Sequence, residues 1–460
     1  MKTTKTFALA LLLLSFGAAA QNKAGGISAE LLKDLNASFE GNAQDKAIRN
    51  ALNATPMAVL AASADKQAMP DTRFSHEVKT VGRTDQKSSG RCWLFTGLNV
   101  LRAKMIQEYD LGAFTFSQNY LFFYDQLEKA NLFLQAIIDT RNLPLDDRKV
   151  DWLFEHPIGD GGQFTGISNL VMKYGLVPSD AMPETFSANN TSAMRSQLNT
   201  YLRECGLRLR EAKPKELQGM KKEMLGKVYR VLTLCLGTPP TEFTWARYDS
   251  KGNFVSENTY TPLSFYQEFV GKDLENNYIM VMNNPTLPYG KVYEIEYDRH
   301  VYDGQNWVYI NLPIDRIKEM AIASIKDNTA MYFSCDVGKF LDRKRGIADL
   351  KNFDYESLLG LHQGMDKKER ILTHASGSTH AMTLIAVDIK DGKPVKWMVE
   401  NSWGATSGYH GNIIMTDEWF DNYMFRLVVE KQYVPTDIMA MMDQKPTLLP
   451  AWDPMFAPEE

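Results

Sequence analysis

The stretch that decides the fold runs from residue 85 to residue 95 and reads Asp-Gln-Lys-Ser-Ser-Gly-Arg-Cys-Trp-Leu-Phe. Small and polar residues lead up to Cys92. After it, apolar residues recur at helical spacing: Leu94, Leu98, Leu101 and Met105. This spacing predicts a helix that begins at Cys92 and buries one face. A thiol at a helix N-terminus feels the positive end of the helix dipole, which favours the thiolate. Cys92 is therefore a candidate nucleophile, and a small buried hydrophobe is the alternative interpretation.

His380 is the candidate base for this thiol. It begins an apolar run that is typical of a buried strand, and the run ends at a tight-turn signal. Whether the turn uses Lys390–Asp391 or Asp391–Gly392, the return strand brings position 401 or 403 opposite His380. We therefore predict that the side chain of Asn401 accepts a hydrogen bond from the imidazole and sets its tautomer.

Gln86 and Trp403 complete the candidate site. Gln86 lies six residues before Cys92, and its side-chain amide could donate to a developing oxyanion together with the backbone N–H of Cys92. Trp403 could shield the hydrogen bond between His380 and Asn401 from water. A surface glutamine and an ordinary core aromatic residue are the alternatives for these two positions.

His374 is a competing base, because it also precedes the strand that follows His380. However, the residues directly after His374 lack the hydrophobic run that follows His380. The other histidines have no comparable partner in their local sequence, so we expect them to be surface or packing residues: His76, His156, His300, His362 and His410.

Five motifs in combination resemble the bleomycin hydrolase and aminopeptidase C family of papain-like cysteine peptidases. They are residues 85–95, 379–382, 399–404, 415–420 and 449–455, which read DQKSSGRCWLF, THAM, VENSWG, MTDEWF and LPAWDPM. The resemblance covers nearly all of the chain from about residue 30 and implies an α+β, two-lobed papain-like fold. A helical lobe would carry Cys92, and an antiparallel β lobe would carry His380 and Asn401. The resemblance implies Cys92 as nucleophile, His380 as base, Asn401 as its orienting partner and Gln86 in the oxyanion hole.

The chain is longer between its candidate nucleophile and base than most papain-like enzymes. The interval from Cys92 to His380 is 288 residues, against ~130–150 residues in that class. Residues 192–236 read mostly as helix, and residues 293–297 and 307–310 have strand character. The resemblance implies that the extra residues form a helical hook through which the family builds a homohexameric barrel.

We accordingly predict six segments. They are a signal peptide (1–20), an N-terminal helical segment packing on the body (21–75), a helical catalytic lobe (76–185), an inserted hook and oligomerisation region with mixed helix and strand (186–330), a β catalytic lobe (331–450) and a C-terminal arm (451–460).

Two further features are predicted to bind substrate. Gly161 and Gly162 follow Asp160, and although a glycine pair usually marks a turn, the resemblance implies a cleft wall that a substrate backbone can approach closely. The resemblance also implies that the C-terminal arm lies in the cleft, where the carboxylate of Glu460 would capture the free amine of a substrate. The last residues depart from the family's usual ending, and a disordered acidic tail is the alternative.

Composition argues against two kinds of binding partner. The chain has 460 residues, with 51 basic and 56 acidic side chains and a net charge of -5. This balance provides no general attraction to nucleic acid or to an anionic membrane, and we expect neither as a partner. Cys205, Cys235 and Cys335 lie far apart in sequence and form no disulfide framework, although a disulfide between two of them is conceivable. We expect no metal and no cofactor.

The N-terminus reads as a secretory signal. Lys2 and Lys5 precede an apolar run from residue 7 to residue 16, and three alanines at 18–20 supply a cleavage site. The run is too short to span a bilayer of ~30 Å, so we expect no membrane anchor. The predicted location is therefore the periplasm or the exterior of the cell.

The sequence thus predicts an exported cysteine aminopeptidase that hydrolyses peptide bonds near the free N-terminus of peptides. An endopeptidase or acyl transferase with the same site is one alternative. A non-catalytic ring that binds peptides or nucleic acid is another.

Overall fold

The computed structural model describes residues 25–39 and 41–456. The chain divides into two compact units, residues 1–61 and residues 62–460. The predicted signal peptide and Glu460 both lie outside the described residues. The described part of the first unit contains three helices, α1 (Ala29–Ser38), α2 (Ala43–Ala54) and α3 (Met57–Leu60). Asn42 and Asp45 form a reciprocal capping box at the start of α2, which satisfies two backbone N–H groups that a helix end otherwise leaves unbonded.

The first half of the second unit is mostly helical. After the short strand β1 (His76–Glu77) come seven helices: α4 (Cys92–Glu108), α5 (Gln118–Asp139), α6 (Arg148–Glu155), α7 (Phe164–Tyr174), α8 (Phe186–Asn189), α9 (Ser192–Glu211) and α10 (Leu217–Leu236). The predicted helix over residues 192–236 is present as α9 and α10, with a break at residues 212–216.

The second half alternates strands with short helices. Its elements are β2 (Phe243–Tyr248), β3 (Phe254–Tyr260), α11 (Pro262–Phe269), β4 (Tyr278–Met282), β5 (Lys291–Ile295), β6 (Val308–Asn311), α12 (Ile314–Lys326), β7 (Met331–Cys335), β8 (Leu341–Asp342), β9 (Ile347–Ala348), α13 (Tyr355–Leu359), α14 (Lys367–Leu372), β10 (His380–Lys390), β11 (Lys393–Glu400), β12 (Asn412–Thr416), α15 (Asp417–Tyr423), β13 (Met424–Glu430), α16 (Thr436–Met439) and β14 (Thr447–Leu449).

One large sheet organises this half. Its strand order is β14-β5-β6-β4-β13-β7-β10-β11-β12-β9-β8, with β1 paired to β10, while β2 and β3 form a separate hairpin. Most neighbours are antiparallel, and the parallel pairs are β14–β5, β4–β6 and β9–β12. The fold is α+β, as predicted. The division into lobes and hook stays a prediction, although β4, β5 and β6 from the predicted hook region belong to the large sheet.

Helix α4 is buried on nearly all sides, which differs from the predicted single apolar face. The predicted apolar residues are buried, but so are Phe95, Asn99 and Arg102 on the other faces. The reason is that α4 packs against β10 and β7 on one side and against α5 and α7 on the other. At its crossing with α7, a Cβ on Gly97 would lie 2.4 Å from Cγ1 of Ile167, so glycine allows the close approach.

The hairpin of β10 and β11 has the predicted turn. Asp391 and Gly392 both have positive φ, 51° and 76°, as a tight two-residue hairpin turn requires. The strands pair from Lys390–Lys393 onward, and two local irregularities cancel, so the pairing of Thr383 with Glu400 keeps the register of the turn. His380, at the open end of the hairpin, therefore reaches the level of residues 401–403.

Two further findings concern the whole described chain. The four cysteines are free thiols. Among the described residues, no helix is apolar over a length that would cross a bilayer.

Candidate active site

Cys92 is the first residue of α4 and is fully buried. Arg91 stands at the N-cap position, but its guanidinium points to Glu184, with nitrogen–oxygen distances of 3.1 and 2.8 Å, rather than to the helix end. The side chain of Arg91 therefore makes no capping hydrogen bond to the start of α4. The predicted helix start at Cys92 is confirmed.

His380 and Asn401 form the predicted hydrogen bond. Nε2 of His380 lies 2.8 Å from Oδ1 of Asn401, and both side chains are buried. The backbone N–H of Ser402 donates to the same Oδ1 atom at 2.8 Å, which identifies that atom as the amide oxygen. Nε2 must therefore carry the ring proton, and Nδ1 is the nitrogen that can accept a proton from a thiol. The ring of Trp403 stacks on His380 with centroids 5.0 Å apart.

The loop before Cys92 is joined to the loop that carries Asn401. The N–H of Gln86 donates to the carbonyl of Ser402 at 2.8 Å, and the N–H of Gly404 donates to the carbonyl of Thr84 at 3.0 Å. Since α4 also packs against β10, the elements that carry the four predicted residues meet at one junction between helices and sheet.

Gln86 is a buried part of this junction rather than a surface residue. Its Oε1 accepts a hydrogen bond from Oγ of Ser402 at 2.7 Å, and its Nε2 donates to the carbonyl of Ser89 at 2.7 Å. A primary amide carries two N–H groups. One of them is used by Ser89, and the second has the chemistry required of an oxyanion donor.

A buried ion pair ties the Cys92 helix to the strand that precedes Asn401. Nη2 of Arg102 on α4 lies 2.5 Å from Oε1 of Glu400, and the two side chains are only 3% and 1% exposed. Nη1 of Arg83 lies 3.2 Å from the other oxygen of Glu400. Sequence patterns did not identify these residues, because an arginine in a helix and a glutamate in a strand have no local signal for burial.

The glycine pair lines a cavity of about 530 Å³. This cavity is bounded by Gly161 and Gly162 on one side and by residues of the C-terminal segment, including Trp452 and Phe456, on another. A Cβ on Gly162 would lie 2.2 Å from Cε1 of His300. Packing inside the protein is thus sufficient to require glycine at position 162, and the role of the pair in substrate binding stays a prediction.

The C-terminal segment is anchored where the described residues end. Phe456 is buried, its ring stacks on that of Tyr309 at 5.5 Å, and the guanidinium of Arg426 lies 4.6 Å from its centroid. Arg426 also donates to the carbonyl of Met455. Phe456, the last described residue, therefore lies at the edge of the cavity.

The remaining histidines differ in their surroundings. His374 is exposed in a turn with φ of 58°. His300, expected to be a surface or packing residue, is buried and contacts the carboxylate of Asp125. This partner is 175 residues away in sequence, so no local pattern could identify it. Among the described residues, no cluster of histidine, cysteine and carboxylate side chains has an arrangement that could hold a metal ion.

These features define a class of protein, the papain-like cysteine peptidases. In that class a helix that begins with a cysteine packs on a largely antiparallel sheet, and a hairpin of the sheet holds a histidine against an asparagine. The chain belongs to the Peptidase C1-like family, whose model matches residues 26–456.

Individual relatives agree with this assignment. The chain is 42% identical to bleomycin hydrolase of Homo sapiens over 401 residues, which cover 84% of this chain and 88% of the relative. It is 36% identical to aminopeptidase C of Streptococcus thermophilus over 437 residues, or 93% and 98% of the two chains. The crystal structure of PepW from Lactobacillus rhamnosis HN001 matches with a TM-score of 0.91 and 35% identity, covering 95% of this chain and all of that one. The resemblance recognised in the sequence is confirmed, and with it the class of cysteine-type peptidases.

Proposed function

We propose that this chain is an exported cysteine aminopeptidase that releases residues from the free N-terminus of peptides through a Cys92–His380–Asn401 site. One observation carries the proposal: the 2.8 Å hydrogen bond that holds His380 against Asn401 beneath Trp403. A buried imidazole whose orientation and tautomer are set by an asparagine is suited to act as the base in acyl transfer by a thiol.

The proposed reaction has two steps. The thiolate of Cys92 attacks the scissile carbonyl carbon, and the amide of Gln86 and the N–H of Cys92 stabilise the negative oxygen. Protonated His380 gives its proton to the leaving amine as the carbon–nitrogen bond breaks, which leaves a thioester. His380 then takes a proton from a water molecule, the resulting hydroxide attacks the thioester, and Cys92 leaves as the thiolate.

Substitution of Cys92 by alanine tests the nucleophile. Cys92→Ala is expected to abolish turnover of a fluorogenic aminoacyl substrate and labelling by a peptidyl epoxide. Cys235→Ala is the matched control, because it removes a partly exposed free thiol elsewhere. Retained turnover in Cys92→Ala, or an epoxide adduct mapped to another residue by mass spectrometry, would remove the assignment.

The preference for a free N-terminus rests on two supports. Relatives of this chain are named aminopeptidase C, and the C-terminal segment is anchored at the edge of the cavity that Gly161 and Gly162 line. We propose that the terminal carboxylate of Glu460 receives the α-amine of the substrate. Capping the amine of a substrate should then stop turnover, whereas deletion of residues 457–460 should allow cleavage of capped peptides. Equal turnover of capped and free substrates by the intact chain would instead favour the endopeptidase.

Two properties of the mature protein belong to the same proposal. Export predicts that the protein recovered outside the cytoplasm begins at Gln21, which N-terminal sequencing measures, and that residues 1–20 direct a fused reporter to the same place.

The resemblance to the family predicts a homohexamer, which mass photometry of the mature chain would show as six times the monomer mass. A monomer that retains full activity would contradict the proposed assembly.

A further inference from the structure

A second buried polar cluster lies beneath the glycine pair and has no part in the proposed reaction. Nδ1 of His300 is 2.5 Å from Oδ1 of Asp125, and Nζ of Lys129 is 2.9 Å from the other oxygen of that carboxylate. Asp125 is fully buried and His300 is 5% exposed. Ionisable groups are buried at a considerable free-energy cost unless they are paired, so the cluster requires an explanation.

The charge state of the cluster follows from its contacts. Burial lowers the pKa of His300, Lys129 lowers it further, and Asp125 opposes both without reversing the direction. Burial alone would raise the pKa of Asp125, but Lys129 and His300 outweigh it and the pKa is lowered. At neutral pH the carboxylate of Asp125 is thus shared by Lys129 and a neutral histidine that donates from Nδ1. Such a cluster holds position rather than exchanging protons.

The cluster is hydrogen-bonded to the segment that ends with the glycine pair. Nζ of Lys129 donates to the carbonyls of Gly159 and Gly161 at 2.9 and 2.7 Å. Between them, the carbonyl of Asp160 accepts a hydrogen bond from Nε1 of Trp93 at 2.7 Å. Three successive carbonyls therefore point into the protein. In a trans peptide the N–H group points away from the preceding carbonyl, so the N–H groups of Gly161 and Gly162 are directed away from this network.

The ring of His300 packs directly against this segment. A Cβ on Gly162 would lie 2.2 Å from Cε1 of His300, and a Cβ on Gly166 in α7 would lie 2.5 Å from the same atom. The edge of the ring contacts Trp93, with centroids 4.6 Å apart. His300 therefore supports the glycine pair from below and contacts the residue that follows Cys92.

We propose that Asp125, Lys129 and His300 form a positioning network that holds residues 159–162 as the wall of the cleft against which the backbone of a peptide substrate binds. His300 is its positioning residue, and it is supplied by the region between residues 186 and 330 that lengthens this chain. This inference rests on the proposed function, because it assigns a role in binding the substrate of that reaction.

The first test compares His300→Asn with His362→Asn, a matched change of an exposed histidine. Loss of the buried contact is expected to raise KM for an aminoacyl substrate about tenfold while kcat stays within about twofold. Two alkylating probes separate the wall from the thiol. His300→Asn should slow labelling of Cys92 by a peptidyl epoxide about tenfold, because that probe binds through its peptide backbone, and should leave the rate with iodoacetamide unchanged.

Gly166→Ala provides a second test that does not remove the histidine. Alanine suits the interior of α7 better than glycine does, so this variant should fold while its methyl group displaces the His300 ring. It should raise KM like His300→Asn. In the double variant Gly166→Ala/His300→Ala, the methyl group has no ring to displace. Its KM should then equal that of His300→Ala alone.

Three results would overturn the inference. The first is that His300→Asn slows the labelling of Cys92 by both probes equally, which would place the effect on the thiol. The others are an unchanged KM in both His300→Asn and Gly166→Ala, or additive effects of Gly166→Ala and His300→Ala on KM. Failure of the proposed function is distinguishable from these, because it would appear as a Cys92 in the unchanged protein that reacts with neither probe.

Discussion

The ion pair between Arg102 and Glu400 allows a quantitative test of how the Cys92 helix is fixed to the strand that carries Asn401. The perturbation is Glu400→Gln, which keeps the shape of the side chain and removes its charge. Both partners are almost fully buried. At an effective dielectric constant of about 20, opposite charges with centres about 4 Å apart attract by about 4 kcal/mol. Removal of one partner also leaves Arg102 buried without its carboxylate, so we expect a loss of roughly 3–5 kcal/mol in the free energy of unfolding.

The assay is urea unfolding monitored by tryptophan fluorescence, with kcat measured on the folded variant. Asp71→Asn is the matched control, because Asp71 pairs with Arg73 on the surface, where Arg73 is 89% exposed, and exposed pairs contribute little. The double variant Arg102→Met/Glu400→Met should recover much of the stability, since two apolar residues replace a buried pair without leaving an uncompensated charge. If Glu400→Gln unfolds at the same urea concentration as Asp71→Asn, the reasoning from burial is wrong.

Three other variants test the site and its surroundings. Ser402→Ala removes the hydroxyl that holds Oε1 of Gln86 and should lower kcat about tenfold without changing KM; a change confined to KM would contradict this orienting role. Asn401→Ala removes the acceptor that sets the tautomer of His380 and should lower kcat roughly a hundredfold, and a rate near that of the unchanged protein would exclude Asn401 as the orienting residue. Burial lowers the pKa of Lys367 to about 7, with a further contribution from Arg370 and Lys318 and opposition from Asp421. The unfolded chain binds the extra proton up to about pH 10, so the free energy of unfolding should rise from pH 7 to pH 10. Lys367→Met should remove that rise, and identical pH profiles of the two proteins would refute the assignment.

The sequence correctly predicts the features that depend on residues close together in the chain. The contact between His380 and Asn401 follows from one tight turn, because the positive-φ pair Asp391–Gly392 sets the register of both strands. The start of α4 at Cys92 follows from a change of composition within a few residues. In both cases the information lies in fewer than about 25 consecutive residues, where strand and helix periods apply directly.

Sequence reasoning failed where burial is set by tertiary packing. The apolar spacing of α4 predicts one buried face, but the helix lies between the sheet and two other helices, and polar residues such as Asn99 and Arg102 are buried as well. His300 has a similar explanation. It has no partner in its own segment, and its carboxylate comes from α5, far away in the sequence.

The two buried networks lie on opposite sides of α4, the helix that begins with the proposed nucleophile. On the sheet side, Arg102 joins α4 to Glu400, the residue before Asn401. On the helical side, Trp93 joins the first turn of α4 to the segment that His300 supports. Apolar packing alone permits small shifts of a helix along its neighbours, whereas hydrogen bonds of defined direction do not. The proposed nucleophile at the start of α4 would require that fixed position, because rates of acyl transfer fall steeply when the reacting atoms move apart by about 1 Å.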